Sequence, residues 1–110
     1  MIEGTNVGMM IYANSVPIFA EIRELVEMGL APAGLYRNRA FRNSVVDIDP
    51  ACPDWMVDIF FDPQTAGGLL IALAANQAEN LISKMHACGV REAAVIGEIV
   101  TKPKGRIRIL

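Results

Sequence analysis

The stretch Asp62-Pro63-Gln64-Thr65-Ala66-Gly67-Gly68 brings together a carboxylate, an amide, a hydroxyl, a rigid proline and two adjacent glycines. Two readings of it stand side by side. In the first it is a tight turn, because Asp before Pro and paired glycines suit a chain reversal through positive φ angles. In the second, the bare backbone at Gly67-Gly68 lets a ligand or a neighbouring domain come close, while Asp62, Gln64 and Thr65 supply hydrogen bonds. It is not a phosphate-cradling loop of the Walker kind: the GxxxxGK[ST] spacing is absent, no lysine follows the glycines, and GxGxxG is missing too.

Other groups are less concentrated. Asp47, Asp49, Asp54, Asp58 and Asp62 are carboxylates of the type that hold magnesium, but they scatter through a proline-rich stretch and read as a solvated loop. Arg37, Arg39 and Arg42 have the guanidinium forks that grip phosphate, and equally suit a wet surface. Cys52, Cys88 and the lone His86 cannot furnish a four-ligand zinc site, so the cysteines read as free thiols in a reducing compartment. His86 falls near a helix end with no nucleophile or orienting carboxylate implied beside it, which argues against a general base.

A chain of 110 residues suits one domain. Its formal charge of −2 and pI near 5.3 leave no basic field for nucleic acid or an anionic membrane. The longest apolar run, Leu69 to Ala75, is far short of the roughly 20 residues of a membrane helix. The first residues, Met1-Ile2-Glu3-Gly4, lack a signal-peptide pattern. The expectation is a cytoplasmic protein with neither nucleic acid nor membrane as partner.

The elements that must position these groups follow from periodicity. Thr5 to Tyr12 reads as a strand. A helix opens after a Ser15 cap with Pro17 in its first turn, buries Ile18, Phe19, Ile22, Leu25 and Val26, and stops at Gly29. Leu30 to Asp54 is a long, broken connection with one short helical stretch between Gly34 and Val45. Trp55 to Phe61 reads as a turn or two of helix leading into the polar stretch. Leu69 to Ala74, flanked by glycines, reads as a buried central strand. An Asn76 cap then opens a second helix with Ala78, Leu81, Ile82, Met85 and Cys88 inward and Gly89 as its stop. Ala93 to Val100 and Arg106 to Leu110 read as strands of a final hairpin, Arg106 and Arg108 guarding an exposed edge. The sum is an α/β (α+β) sandwich: about four strands in a mixed sheet with two principal helices.

Phe60 to Ile71 resembles the "FDPQTSGGLLI" signature of the selenophosphate synthetases (selenide, water dikinases), departing from it at Ala66, where that family usually has Ser. Flanking blocks agree. Gly4-Thr5-Asn6-Val7-Gly8 with Val16-Pro17 is similar to the family's "GSGVG…VP"; Gly29 through Arg37-Asn38 resembles "G…P-G…RN"; Ala93 to Ile99 resembles "AAVIGEV". The resemblance covers essentially the whole chain, in order.

It implies a single domain over residues 1 to 110, of the C-terminal type found in the aminoimidazole-ribonucleotide-synthetase superfamily. The family makes selenophosphate from selenide, ATP and water, releases AMP and phosphate, and uses magnesium. Its reactive cysteine or selenocysteine, essential lysine and most ATP- and metal-binding aspartates belong to an N-terminal domain absent from this chain. The implied partners are that domain and a second subunit in the full-length enzyme. No catalytic, cofactor or metal residue is assigned here, and the fragment is expected to be inactive and to hold no cofactor alone. Asp62, Gln64, Thr65, Gly67 and Gly68 are the expected wall or hinge of the interdomain nucleotide cleft, with Asn38 beside them. The alternative is a stand-alone module of the same fold that holds a small anion near the arginines or serves regulation.

Overall fold

The computed structural model describes residues 1–110. In chain order the elements are β1 (Gly8–Ile11), a 3-10 turn (Ala13–Ser15), α1 (Ile22–Glu27), α2 (Ala33–Arg42), β2 (Val46–Ile48), α3 (Asp54–Phe60), α4 (Ala75–Ala87), β3 (Gly97–Val100) and β4 (Ile107–Ile109). The strands form one mixed sheet in the order β2-β4-β1-β3. β4 lies parallel to β1, with Met9 opposite Ile107, and parallel to β2, with Val46 opposite Ile107. β3 runs antiparallel to β1, Gly8 opposite Val100 and Ile11 opposite Gly97.

Alternation along the strands sorts the faces. Met9, Ile11 and Ile109 point to one side and are buried with Ile2, Ala13 and Met56 in the main core. Met10, Glu98, Arg108 and Asp47, which meet across the strands, occupy the other side. α3 covers the apolar side. Its Met56 enters the main core, while its next residue, Val57, joins Leu35 of α2 and Phe61 in a second cluster. α1 adds to α3 from outside, with the Arg23 guanidinium 5.4 Å from the Trp55 ring centroid.

Local signals placed most elements. The helical stretch expected between Gly34 and Val45 is α2, whose last turn carries Arg39 and Arg42 where the helix dipole favours cations. The expected Trp55 to Phe61 turns are α3. The Gly29 and Gly89 stops are confirmed by left-handed φ of 78° and 90°.

Four expectations fail, each for a physical reason. Leu69 to Ala74 forms no strand: Thr65 to Leu73 makes no backbone hydrogen bond, and Leu69 is 90 % exposed. The central places in the sheet are held by β1 and β4, and the fourth strand comes from Val46–Ile48, inside the supposed connection. There is no final hairpin, because β1 lies between β3 and β4. Arg106 therefore guards no edge. It forks onto the Asp47 carboxylate, donating from Nε to Oδ2 at 2.7 Å and from Nη2 to Oδ1, and its Nη1 donates to the Ser44 carbonyl at 2.8 Å. Lastly, neither helix is capped as expected. α1 starts only at Ile22, with Glu21 at its cap, and α4 starts at Ala75 with no side-chain cap. Ala78, Leu81, Ile82 and Met85 are half-buried on α4, but Cys88 is exposed.

The two clusters give a direct test. Leu35 is 2 % exposed, and Leu35→Ala is expected to lower the unfolding free energy by about 2–5 kcal/mol in urea denaturation. Acid should act through Asp47. The Arg106 guanidinium hydrogen-bonded to it holds its carboxyl below the usual carboxylate value. That stabilisation is complete above the ordinary carboxylate range and is lost as pH falls through the lowered folded value. Asp47→Asn is therefore expected to melt below wild type at neutral pH, the gap closing in acid; a gap constant from pH 7 to below the carboxylate range would exclude this role.

Candidate functional site

The polar stretch begins where α3 ends. Phe61 is buried in the second cluster, and its carbonyl accepts a hydrogen bond from Asn38 Nδ2 of α2 at 3.0 Å. The Asp62 amide donates back to Ile59 at 3.1 Å, and the Gln64 amide donates to the Asp62 carbonyl at 2.9 Å. Arg39 of α2 donates to Asp58 of α3 at 3.1 Å, one helical turn before the exit. Asp62 to Gln64 is thus tethered to the α2–α3 pair. From Thr65 onward that tethering ends.

Gly34 completes the anchorage. A Cβ there would stand 2.8 Å from Pro63 Cγ, so only glycine lets α2 approach the Pro63 ring. The sequence reading missed this residue, although an isolated glycine within a helical stretch is the signal of such close packing.

The expected site residues separate into two groups. Asn38 and Asp62 border a groove of about 560 Å³ walled by Phe41, Val46, Phe60 and Leu70. Gln64, Thr65, Gly67 and Gly68 are all exposed and stand away from the packed layers. Neither Gly67 nor Gly68 has a positive φ, so the tight-turn reading of the paired glycines is not what the chain adopts. A Cβ at Gly68 would meet nothing within 4 Å, and one at Gly67 would meet only the flexible Gln64 side chain. Nothing within the chain demands glycine at either position.

Charge in this region is largely matched internally. Arg39 pairs with Asp58, and Arg42 donates to Glu3 at 3.0 Å while lying 4.4 Å from the Phe41 ring centroid. Two of the three arginines that could have gripped an anion are therefore held by carboxylates. The aspartates are dispersed as well: Asp47 faces Arg106, and Asp49 accepts from the Ala51 amide at 2.8 Å. No three carboxylate, histidine or cysteine side chains come together as a metal-holding group. The residues present do not fit a magnesium–nucleotide complex: its phosphates and cation would find no assembled set of matching charges. Burial, reinforced by Asp49 and Asp54, pushes the Cys52 thiol up, which disfavours the thiolate a nucleophile needs. His86 lies in the last turn of α4 with Nε2 2.9 Å from the Ala93 carbonyl, a structural contact. No helix is long and apolar enough to cross a membrane.

The mixed sheet with its helices, and the glycine-bearing stretch leaving α3, define a class. The model of the AIR synthase related protein C-terminal domain matches residues 1–110, and the chain belongs to that family. Within it the chain is 46 % identical over 107 residues to a selenide, water dikinase of Pelobacter propionicus, a match covering 97 % of this chain and 31 % of that protein. It is 36 % identical over its whole length to selenide, water dikinase 2 of Peptoclostridium acidaminophilum and to the selenide, water dikinase of Clostridioides difficile, covering 31 % and 32 % of those proteins. The resemblance read from the signature is borne out, and the chain spans about a third of the length of these relatives.

The anchorage is testable at Gly34. Gly34 lies in the first turn of α2, where replacing glycine by alanine gains less than the about 1 kcal/mol of a helix interior, whereas forcing a methyl into a packed contact costs about 1–3 kcal/mol. The proline ring cannot swing aside as a flexible chain end would, so Gly34→Ala is expected to be net destabilising. A variant that melts above wild type would show that the Gly34–Pro63 contact is loose.

Proposed function

We propose that this chain is the C-terminal lobe of a selenide, water dikinase, forming one side of a cleft in which magnesium and ATP are held against an N-terminal domain. The reaction joins selenide, ATP and water to give selenophosphate, AMP and phosphate, in the cytoplasm and in a dimeric enzyme. Gly67 and Gly68 are the part of the wall that a nucleotide or the facing domain approaches. Asp62, Gln64 and Thr65 offer hydrogen bonds along it, and Asn38 positions it through the Phe61 carbonyl.

The observation carrying this reading is that glycine at 67 and 68 answers to nothing inside the chain. Both turn geometry and internal crowding are ruled out for Gly68, which leaves an external surface as what the missing side chain accommodates. The reading also explains why the arginines and aspartates form no phosphate site: the cationic and metal-binding groups belong to the other lobe. A stand-alone anion-binding module gains no support, since Arg39 and Arg42 are already paired.

Calorimetry and complementation test it. The chain alone is expected to show no Mg-ATP binding at micromolar concentrations; a dissociation constant in that range or tighter would mean it carries a nucleotide site of its own. Joined to the N-terminal two-thirds of the Pelobacter propionicus relative, it is expected to support selenide-dependent formation of AMP. In that fusion Gly68→Ala should lower kcat/KM at least about 10-fold, a loss of roughly 1.4 kcal/mol in transition-state stabilisation. The same change in the lone chain should move its stability by no more than about 0.5 kcal/mol. An active fusion indifferent to Gly68→Ala would remove these glycines from the cleft.

A further inference from the structure

We infer that Arg39 and Asp58 are positioning residues: their ion pair sets the course on which Asp62-Pro63-Gln64 leaves α3. The inference rests on the cleft reading above, in which that segment stands at the wall. The cluster of Leu35, Val57 and Phe61 brings α2 and α3 together, but apolar contact is non-directional and does not by itself fix how two helices slide or turn against each other. Direction comes from polar bonds. Two successive residues of α2 each reach the C-terminal turn of α3: Asn38 Nδ2 donates to the Phe61 carbonyl at 3.0 Å, and Arg39 Nη1 donates to Asp58 Oδ1 at 3.1 Å. The Phe61 amide in turn donates to the Asp58 carbonyl at 3.1 Å, so one turn of helix is gripped at both ends from a single neighbour.

Helix stability alone does not account for Asp58. Asp54 lies in the first turn of α3, where the dipole favours an acid; Asp58 lies in the last, where the dipole opposes one, and aspartate is also a poorer helix former than alanine. The ion pair returns little stability in compensation, because the Arg39 side chain is 41 % exposed and that of Asp58 20 %. What the pair supplies is direction. Its leverage is geometric, since a displacement of about 1 Å in a positioning contact can cost about 100-fold in rate.

Amide hydrogen exchange and thermal melting of the full chain, with the activity of its fusion to the N-terminal two-thirds of the Pelobacter propionicus relative, test this. Asp58→Ala and Arg39→Gln are each expected to speed exchange of the Asp62 and Gln64 amides, which donate to Ile59 and Asp62, about 3- to 5-fold. Asp58→Ala should nevertheless melt no lower than wild type, having gained helix propensity and lost a charge that the dipole opposes. In the fusion both should lower kcat/KM at least about 5-fold, and the double variant should be no worse than either alone, since each removes the same contact. Arg39→Lys should stay within about 2-fold of wild type, because a contact through one nitrogen needs a cation and not the planar fork. Arg37→Gln, which removes an exposed charge of α2 that joins no ion pair within the chain, should change neither exchange nor rate. Unchanged exchange at Asp62 and Gln64 in the Arg39 and Asp58 variants overturns the inference. So does an Asp58→Ala chain that melts well below wild type, which makes the pair a structural brace, or an Arg39→Lys fusion as slow as Arg39→Gln. A fusion slowed by Gly68→Ala but not by Arg39→Gln overturns it and leaves the cleft reading standing; one indifferent to both overturns the two together.

Discussion

A three-residue strand holds this fold together. β4 lies between β1 and β2 and is hydrogen-bonded to both, so the first strand of the chain and the strand after α2 meet only through it. Ile109, 4 % exposed, sits at the centre of the main core, and the neighbouring Leu110 exchanges hydrogen bonds with Ile11 and Ala13. Arg106, just before the strand, adds a two-pronged grip on Asp47 of β2. Parallel neighbours cannot be joined by a tight turn, so every contact β4 makes spans long stretches of chain.

The apolar face this sheet presents decides where the signature stretch can be anchored. α3 must lie on it, because Met56 belongs to the main core, and α2 must lie beside α3, because Leu35 and Val57 share the second cluster. Once both helices are fixed, the Phe61 carbonyl and the Pro63 ring are fixed as well, by Asn38 and Gly34. Rigid support thus reaches as far as Gln64 and stops. The segment has an anchored root and an outer part that makes no backbone hydrogen bond within the chain.

Much of this was legible in the residues and some was not. Periodicity and the Gly89 stop located α4, and short apolar stretches marked α2 and α3, because such signals are local: a helix closes its hydrogen bonds within four residues. The count of four strands was right although one member was wrong. Leu69 to Ala74 has the composition of a buried strand, but composition cannot report whether a neighbouring strand exists to pair with it. Val46–Ile48 was hidden among prolines and aspartates because three residues are too few for alternation to show. The misplaced hairpin has the same origin, since Lys102-Pro103-Lys104-Gly105 looks like a turn whatever strand its two arms find. At the candidate site, Asp62, Gln64, Thr65, Gly67 and Gly68 were visible as chemistry and Asn38 through the family resemblance, whereas Gly34 gave only the weak signal of a lone glycine in a helical stretch, because its partner Pro63 is distant in sequence.

The central place of β4 also has a temporal side. Synthesis delivers residues 8 to 106 before Ile107–Ile109, so on the ribosome β1 and β2 emerge with an empty slot between them and an apolar face with no finished sheet beneath it. Helices can form early, but the sheet cannot close until its middle strand leaves the exit tunnel. Until then the apolar side that these strands will share stays open, and that interval is when the chain is most prone to aggregate.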